Sequence, residues 1–232
     1  MQLELVAESF PEAEMAAKYA FHRVELCSAL AVGGLTPSAG MIKQCAKYAQ
    51  VEVHVLIRPR PGHFVYTEAE VAVMLRDIRE AAKLGARGVV IGALTADGII
   101  DREACERMHQ QATNLGLETT FHRAFDFVNE AESSLEQLIT MGFHRLLTSG
   151  LKPTAIEGLD IIKQLVSQAA GRIQIMAGSG VNEHNCKELS QSGVSALHFS
   201  ARKRGAVSAL NMGEVFVPDE EKIERILTNI KK

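Results

Sequence analysis

Seven residues, TFHRAFD from Thr120 to Asp126, set a histidine, an arginine and a carboxylate at the end of an apolar, β-rich run. An imidazole titrates near neutrality, with an unperturbed pKa of about 6.5, so His122 is a candidate to move protons. Glu25, inside RVELC (23–27), is the second acid–base candidate. Arg58 and Arg60 of IRPR, with Arg123, supply guanidinium groups whose paired donors match a carboxylate or a phosphate. The Gly178-Ser179-Gly180 turn adds backbone N–H groups of the kind that cradle anions. Together these residues suit a small phosphate- or carboxylate-bearing ligand. Cys27 and, more weakly, His198 are the metal-ligand candidates, a thiolate and an imidazole being acceptable to Cu(I).

Each candidate has a plainer alternative. Glu25 paired to an arginine fills a barrel interior as a structural network. His122 bonded to a backbone group is a core histidine, and Arg123, of opposite strand parity, is a surface charge. Asp126 either caps a helix or holds the arginine. Cys27 reads equally well as an inert, half-buried thiol, and GSG alone marks any tight turn.

The elements that must position these residues recur along the whole chain. Eight short runs rich in Val, Ile and Leu read as strands: LELVAE (3–8), RVELC (23–27), EVHVLI (52–57), GVVIGAL (88–94), LETTFH (117–122), RLLTSG (145–150), RIQIMAG (172–178) and ALHFS (196–200). Helical stripes lie between them, such as Val71, Met74, Leu75, Ile78 and Ala82, or Cys105, Met108, Ala112 and Leu115. Capping-box spacings at Ser9-x-x-Glu12, Thr67-x-x-Glu70, Asn129-x-x-Glu132 and Thr154-x-x-Glu157, and Thr36-Pro37, mark helix starts. Asn182 is a further cap candidate.

Eight βα units in 232 residues predict a single-domain (β/α)8 TIM barrel, a fold of about 250 residues. The rival, an open doubly wound sheet, would place a glycine-rich loop after the first strand, which ends instead in Ala-Glu-Ser. There is no nucleotide cofactor motif. Residues two apart share a strand face, so Glu4 with Glu8, Arg23 with Glu25 and Cys27, His54 with Arg58, Thr120 with His122, and His198 with Ser200 define an inward polar parity. Residues 201–217 read as an irregular loop over the barrel mouth.

Hydrophobic residues make up 47 % of the chain and its net charge is −3 with mixed signs, which predicts neither disorder nor a nucleic-acid-binding arm. No run approaches the roughly 20 apolar residues that span a bilayer, and the N-terminus lacks a signal-peptide pattern, so the expectation is a cytoplasmic protein. The four cysteines are far apart and read as free thiols, with Cys45, Cys105 and Cys186 on helix core stripes.

RVELC, GGLTPS, IRPR, TFHRAFD, LTSG and GSG followed by HFSAR, in this order, resemble the CutC family of copper homeostasis proteins over roughly residues 3 to 201. The resemblance implies a TIM barrel, a cytosolic location, a homo-oligomer (dimer or higher), a link to copper tolerance and copper ion (Cu(I)) binding through cysteine, which maps onto Cys27. The first strand ends AES where some members carry cysteine. Two functional readings therefore stand: a copper-handling protein, or an enzyme acting on a small anionic metabolite at the carboxyl end of the barrel.

Overall fold

The computed structural model describes residues 1–47, 51–206 and 214–231. Eight parallel strands close in chain order into one barrel: β1 (Gln2–Ala7), β2 (Arg23–Leu26), β3 (Glu52–Leu56), β4 (Gly88–Ile91), β5 (Glu118–Phe121), β6 (Arg145–Thr148), β7 (Gln174–Gly178) and β8 (Ala196–Ser200). Closure is made by β1 pairing with β8, with Glu4 beside His198. The connecting helices are α1 (Phe10–Lys18), α2 (Ala39–Cys45), α3 (Glu68–Lys83), α4 (Arg102–Asn114), α5 (Ala131–Met141), α6 (Leu159–Ala169) and α7 (Cys186–Ser190), and α8 (Glu220–Ile230) follows the last strand. The predicted (β/α)8 barrel is thus the fold. Each predicted strand forms: β8 matches its predicted run, β1 is shifted by one residue, and the other six are one to three residues shorter than predicted.

The core lies between strands and helices. Outward residues such as Leu5, Val24, Val55, Val89 and Phe121 pack on helix stripes including Val71, Met74, Ile78 and Met108. Ala81 rather than Ala82 completes the α3 stripe, and Leu115 is exposed at the end of α4, not buried. Cys45, Cys105 and Cys186 are buried under their helices as free thiols.

The caps divide. Thr67 and Glu70 form a full capping box on α3. At α1, Glu12 accepts from the Ser9 hydroxyl and the Glu8 N–H, but Ser9 itself caps no backbone N–H. Ser38, not Thr36, caps α2, because Thr36 Oγ1 accepts from Arg58 N. Glu130 occupies the cap position of α5, while Asn129 donates to Asp97 O. Glu157 accepts from the Thr154 N–H and hydroxyl in the turn before α6, whose cap position is Gly158, and Asn185 rather than Asn182 precedes α7.

In place of an irregular loop over 201–217, β9 (Arg202–Arg204) pairs antiparallel with β10 (Phe216–Pro218). Residues 207–213 of that stretch lie outside the described residues. Among the described residues no helix is long and apolar enough to cross a membrane.

Inside the barrel, two small apolar clusters are separated by ionisable residues. Val6, Cys27, Leu56 and Val90 form one cluster, and Leu147, Met176 and Ala196 the other. The buried groups include Glu4, Arg23, Glu25, His54, His122, Arg145 and His198. This departs from the layers of branched aliphatics usual in such barrels. Buried charges persist only where partners offset desolvation, and the partners locate the site.

Candidate active site

A cavity of about 560 Å³ opens at the carboxyl end of the strands. Glu25, from β2, and His198, from β8, line it together with His122 at the end of β5. Apolar walls come from Leu30, Leu56, Phe64 and Phe127, and cationic side chains from Arg123, Arg202 and Lys222.

The ionisable groups form a chain. Arg23 Nε donates to Glu4 Oε2 at 2.9 Å, and Glu4 Oε1 lies 2.7 Å from His198 Nδ1. Register explains the meeting, since Glu4 on β1 is aligned with Arg23 on one side and with His198 on the other. Burial opposes the Glu4 charge, but His198 and Arg23 outweigh it and hold this carboxyl well below the usual range. Burial also opposes a cationic His198, yet the Glu25 and Glu4 carboxylates prevail and raise its pKa.

Glu25 is different. Its Oε2 has no hydrogen-bond partner, and burial, together with repulsion from Glu4, pushes its pKa up to about 7 against the attraction of His198. A carboxyl poised near neutrality and facing a cavity can give or take a proton.

His122 is held by its surroundings. Its Nδ1 accepts the Ala124 N–H at 3.1 Å. Its ring packs 4.8 Å from Phe64, and Gly92 leaves it room, since a Cβ there would stand 2.7 Å from the imidazole. Burial, then the nearby Arg58 charge, lowers its pKa to about 3. His122 is therefore a neutral ring rather than the neutral-pH acid–base group its sequence position suggests. Its Nε2 is buried without a partner, a situation that costs about 1–3 kcal/mol for a polar group.

The arginines separate. Arg58 borders the cavity, but its terminal nitrogens donate to the carbonyls of Val32, Gly34 and Gly62 at 2.8–2.9 Å. It ties two mouth loops together, and its guanidinium is largely spent on them. Arg60 does not line the cavity, because it pairs with Glu70 and donates to His63 O and Val65 O. Arg123 does line it. Asp126 holds this arginine through Nε at 2.8 Å while also accepting from Thr148 Oγ1, Ser149 N and Leu151 N. The Asp126 alternative is resolved in favour of holding the arginine.

Ser179 and Gly180 reach the cavity, with Ser179 in the left-handed region at φ +81°. Gly178 sits lower, against Leu147 and His198, and does not line it. Two cations were missed by sequence reasoning. Arg202 follows β8 within HFSAR and is held by Glu8, so its place just past a strand was a usable signal. Lys222 comes from α8, about 20 residues later, with no local signal. Burial lowers its pKa.

Cys27 is fully buried beneath Gly34, outside the cavity lining, and burial pushes its thiol pKa up strongly. Glu4, Glu25 and His198 can bring one ligand atom each within 4.8 Å of one another. That donor set is two carboxylates and an imidazole, without sulfur.

Fold and site together define a (β/α)8 barrel with a buried Glu4, Glu25 and His198 cluster and a partly cationic rim at its carboxyl end. Residues 1–203 match the CutC family, and the chain belongs to it. A relative named family protein CutC, from Glaesserella parasuis, is 43 % identical over 99 % of each chain. The Homo sapiens copper homeostasis protein cutC homolog is 45 % identical, over 86 % of this chain and 73 % of its own length. The crystal structure of a putative copper homeostasis protein CutC from Streptococcus agalactiae aligns with a TM-score of 0.81 at 39 % identity, covering 86 % of this chain and 98 % of that one.

Proposed function

We propose that the mouth is the active site of an enzyme acting on a small anionic metabolite, with Glu25 as the group that transfers a proton. One observation carries this reading: a buried carboxyl with an unpartnered oxygen, poised near pH 7, at a cavity that Arg123, Arg202 and Lys222 also line. Cations at a partly desolvated rim attract phosphate or carboxylate and repel a bare metal ion. Arg123 is pre-positioned by Asp126, so little side-chain entropy is lost when it meets an anion. Thermal melting with millimolar phosphate, sulfate and small carboxylates tests the reading. The wild type is expected to gain several degrees with at least one anion, and Arg123→Ala to lose most of that gain. No stabilisation of the wild type by any anion would sink it.

The names borne by the human and Streptococcus agalactiae relatives support a second reading, a part in copper homeostasis. The residues at the mouth do not fit a Cu(I) centre, which calls for soft sulfur donors. Cys27 is buried and strongly favours its neutral thiol, and His198 Nδ1 is engaged by Glu4. Direct copper binding would thus need Cys27 to be uncovered. Cu(I) affinity measured against a competing chelator should fall to background in Cys27→Ser if that thiol is the ligand, and an unchanged affinity removes Cys27 from the role.

A further inference from the structure

His122 is the buried polar group at the mouth that the proton-transfer reading leaves unused. An imidazole whose Nδ1 accepts a backbone N–H must carry its proton on Nε2. The Ala124 N–H at 3.1 Å therefore fixes the Nε2–H tautomer. The ring stays neutral at physiological pH, because burial and Arg58 disfavour the imidazolium. Nε2–H is then an uncharged donor without an acceptor among the described residues.

The surroundings say what acceptor it suits. The ring packs on Phe64, and Phe64 in turn packs on Phe127 at 5.6 Å, so this part of the cavity is aromatic. The charged donors, Arg123, Arg202 and Lys222, can take the anionic end of a ligand. A single neutral N–H beside aromatic rings matches an oxygen that is uncharged when it binds and gains charge during reaction. Glu25, three strands away round the barrel on β2, lines the same cavity.

Building on the reading of the mouth as an acid–base site for a small anion, we propose that the ligand also bears a carbonyl group. Its oxygen accepts from His122 Nε2–H, and the chemistry is proton transfer at the carbon beside that carbonyl. The C–H bond breaks, its proton passes to the Glu25 carboxylate, and its electron pair forms the C=C bond of an enolate. The carbonyl π pair moves onto oxygen, where the hydrogen bond from His122 stabilises it while His122 keeps its own proton. Return of the proton from Glu25 to carbon restores a carbonyl compound, so no oxidant, reductant or second substrate is required.

Calorimetry with matched probes tests this. Phosphoglycolohydroxamate and oxalate present the planar oxygens of an enolate, whereas ethyl phosphate and propionate carry an anionic group alone. The wild type is expected to bind at least one enolate mimic tenfold or more tighter than its matched plain anion. His122→Leu should lose that preference while still binding the plain anion, and His122→Gln, which retains an N–H donor, should keep part of it. On the wild type alone, the His122 Nε2–H proton resonance should move downfield when the mimic binds, a readout that does not depend on a variant folding. Plain anions binding with no preference for the mimics, or a preference that survives in His122→Leu, overturns the carbonyl assignment and leaves the anion reading standing. Failure of every probe, plain anions included, overturns both.

Discussion

Glu25→Gln should make the protein more stable at pH 8 than the wild type. Folded Glu25 keeps its proton up to about pH 7, whereas the ordinary value for an exposed glutamate is 4.5. Between those values the folded chain holds the extra proton, so the wild type loses stability as pH rises through that window. At about 1.4 kcal/mol per pH unit the full span amounts to about 3 kcal/mol. Glutamine mimics the neutral acid in shape and cannot ionise. It also withdraws a carboxylate that helps hold the His198 proton, which trims the gain to about 2–3 kcal/mol. For a chain of this size that is roughly 5–10 °C in Tm. Melting curves of both proteins from pH 4.5 to pH 8 measure it, with the gap near zero at the acid end and widest at pH 8. A variant no more stable than wild type at pH 8 would refute the desolvation argument. An equal gap at every pH would show that packing, not charge, makes the difference.

Two further outcomes follow from geometry. Arg23→Met leaves the Glu4 carboxylate buried with His198 as its remaining partner, and breaking a buried pair in this way costs about 3–5 kcal/mol; urea unfolding should show a lowered midpoint at unchanged slope, and a loss below about 1 kcal/mol would contradict the pairing. Gly158→Ala would drive a Cβ into Ser149 O and to 2.8 Å from Gly150 Cα, so its Tm should fall by roughly 6 °C or more, and a wild-type Tm would mean that the loop after β6 gives way freely.

Much of the architecture was legible because strand and helix periods are local properties. The β-branched runs and the Val71, Met74 and Ile78 stripe need nothing beyond neighbouring residues. Strand parity likewise carried Glu4, Glu25, His122 and His198 inward, where the structure places them. What local reading missed depends on contacts made across the chain. Arg60 looked like a mouth cation, yet Glu70, ten residues on, draws it away. Arg58 lies at the mouth, but carbonyls 24 and 26 residues earlier occupy its Nη1 and the Gly62 carbonyl its Nη2. Lys222 arrives from a helix that nothing near β8 announces. His122 was located correctly, but its neutrality comes from burial and from Arg58, neither of which a sequence window displays.

The closed barrel has a consequence for how copies of this chain meet. Eight strands joined in a ring leave no backbone donors or acceptors free to template another strand, so edge-to-edge aggregation has no foothold there. Among the described residues only the small β9–β10 ribbon presents open edges. One of its strands is Arg202-Lys203-Arg204, in which Glu8 and Glu214 pair the two arginines while Lys203 adds a charge to the strand, and the other ends in Pro218, which lacks the N–H that pairing requires. The exposed edges are thus guarded by charge on one side and by a missing donor on the other.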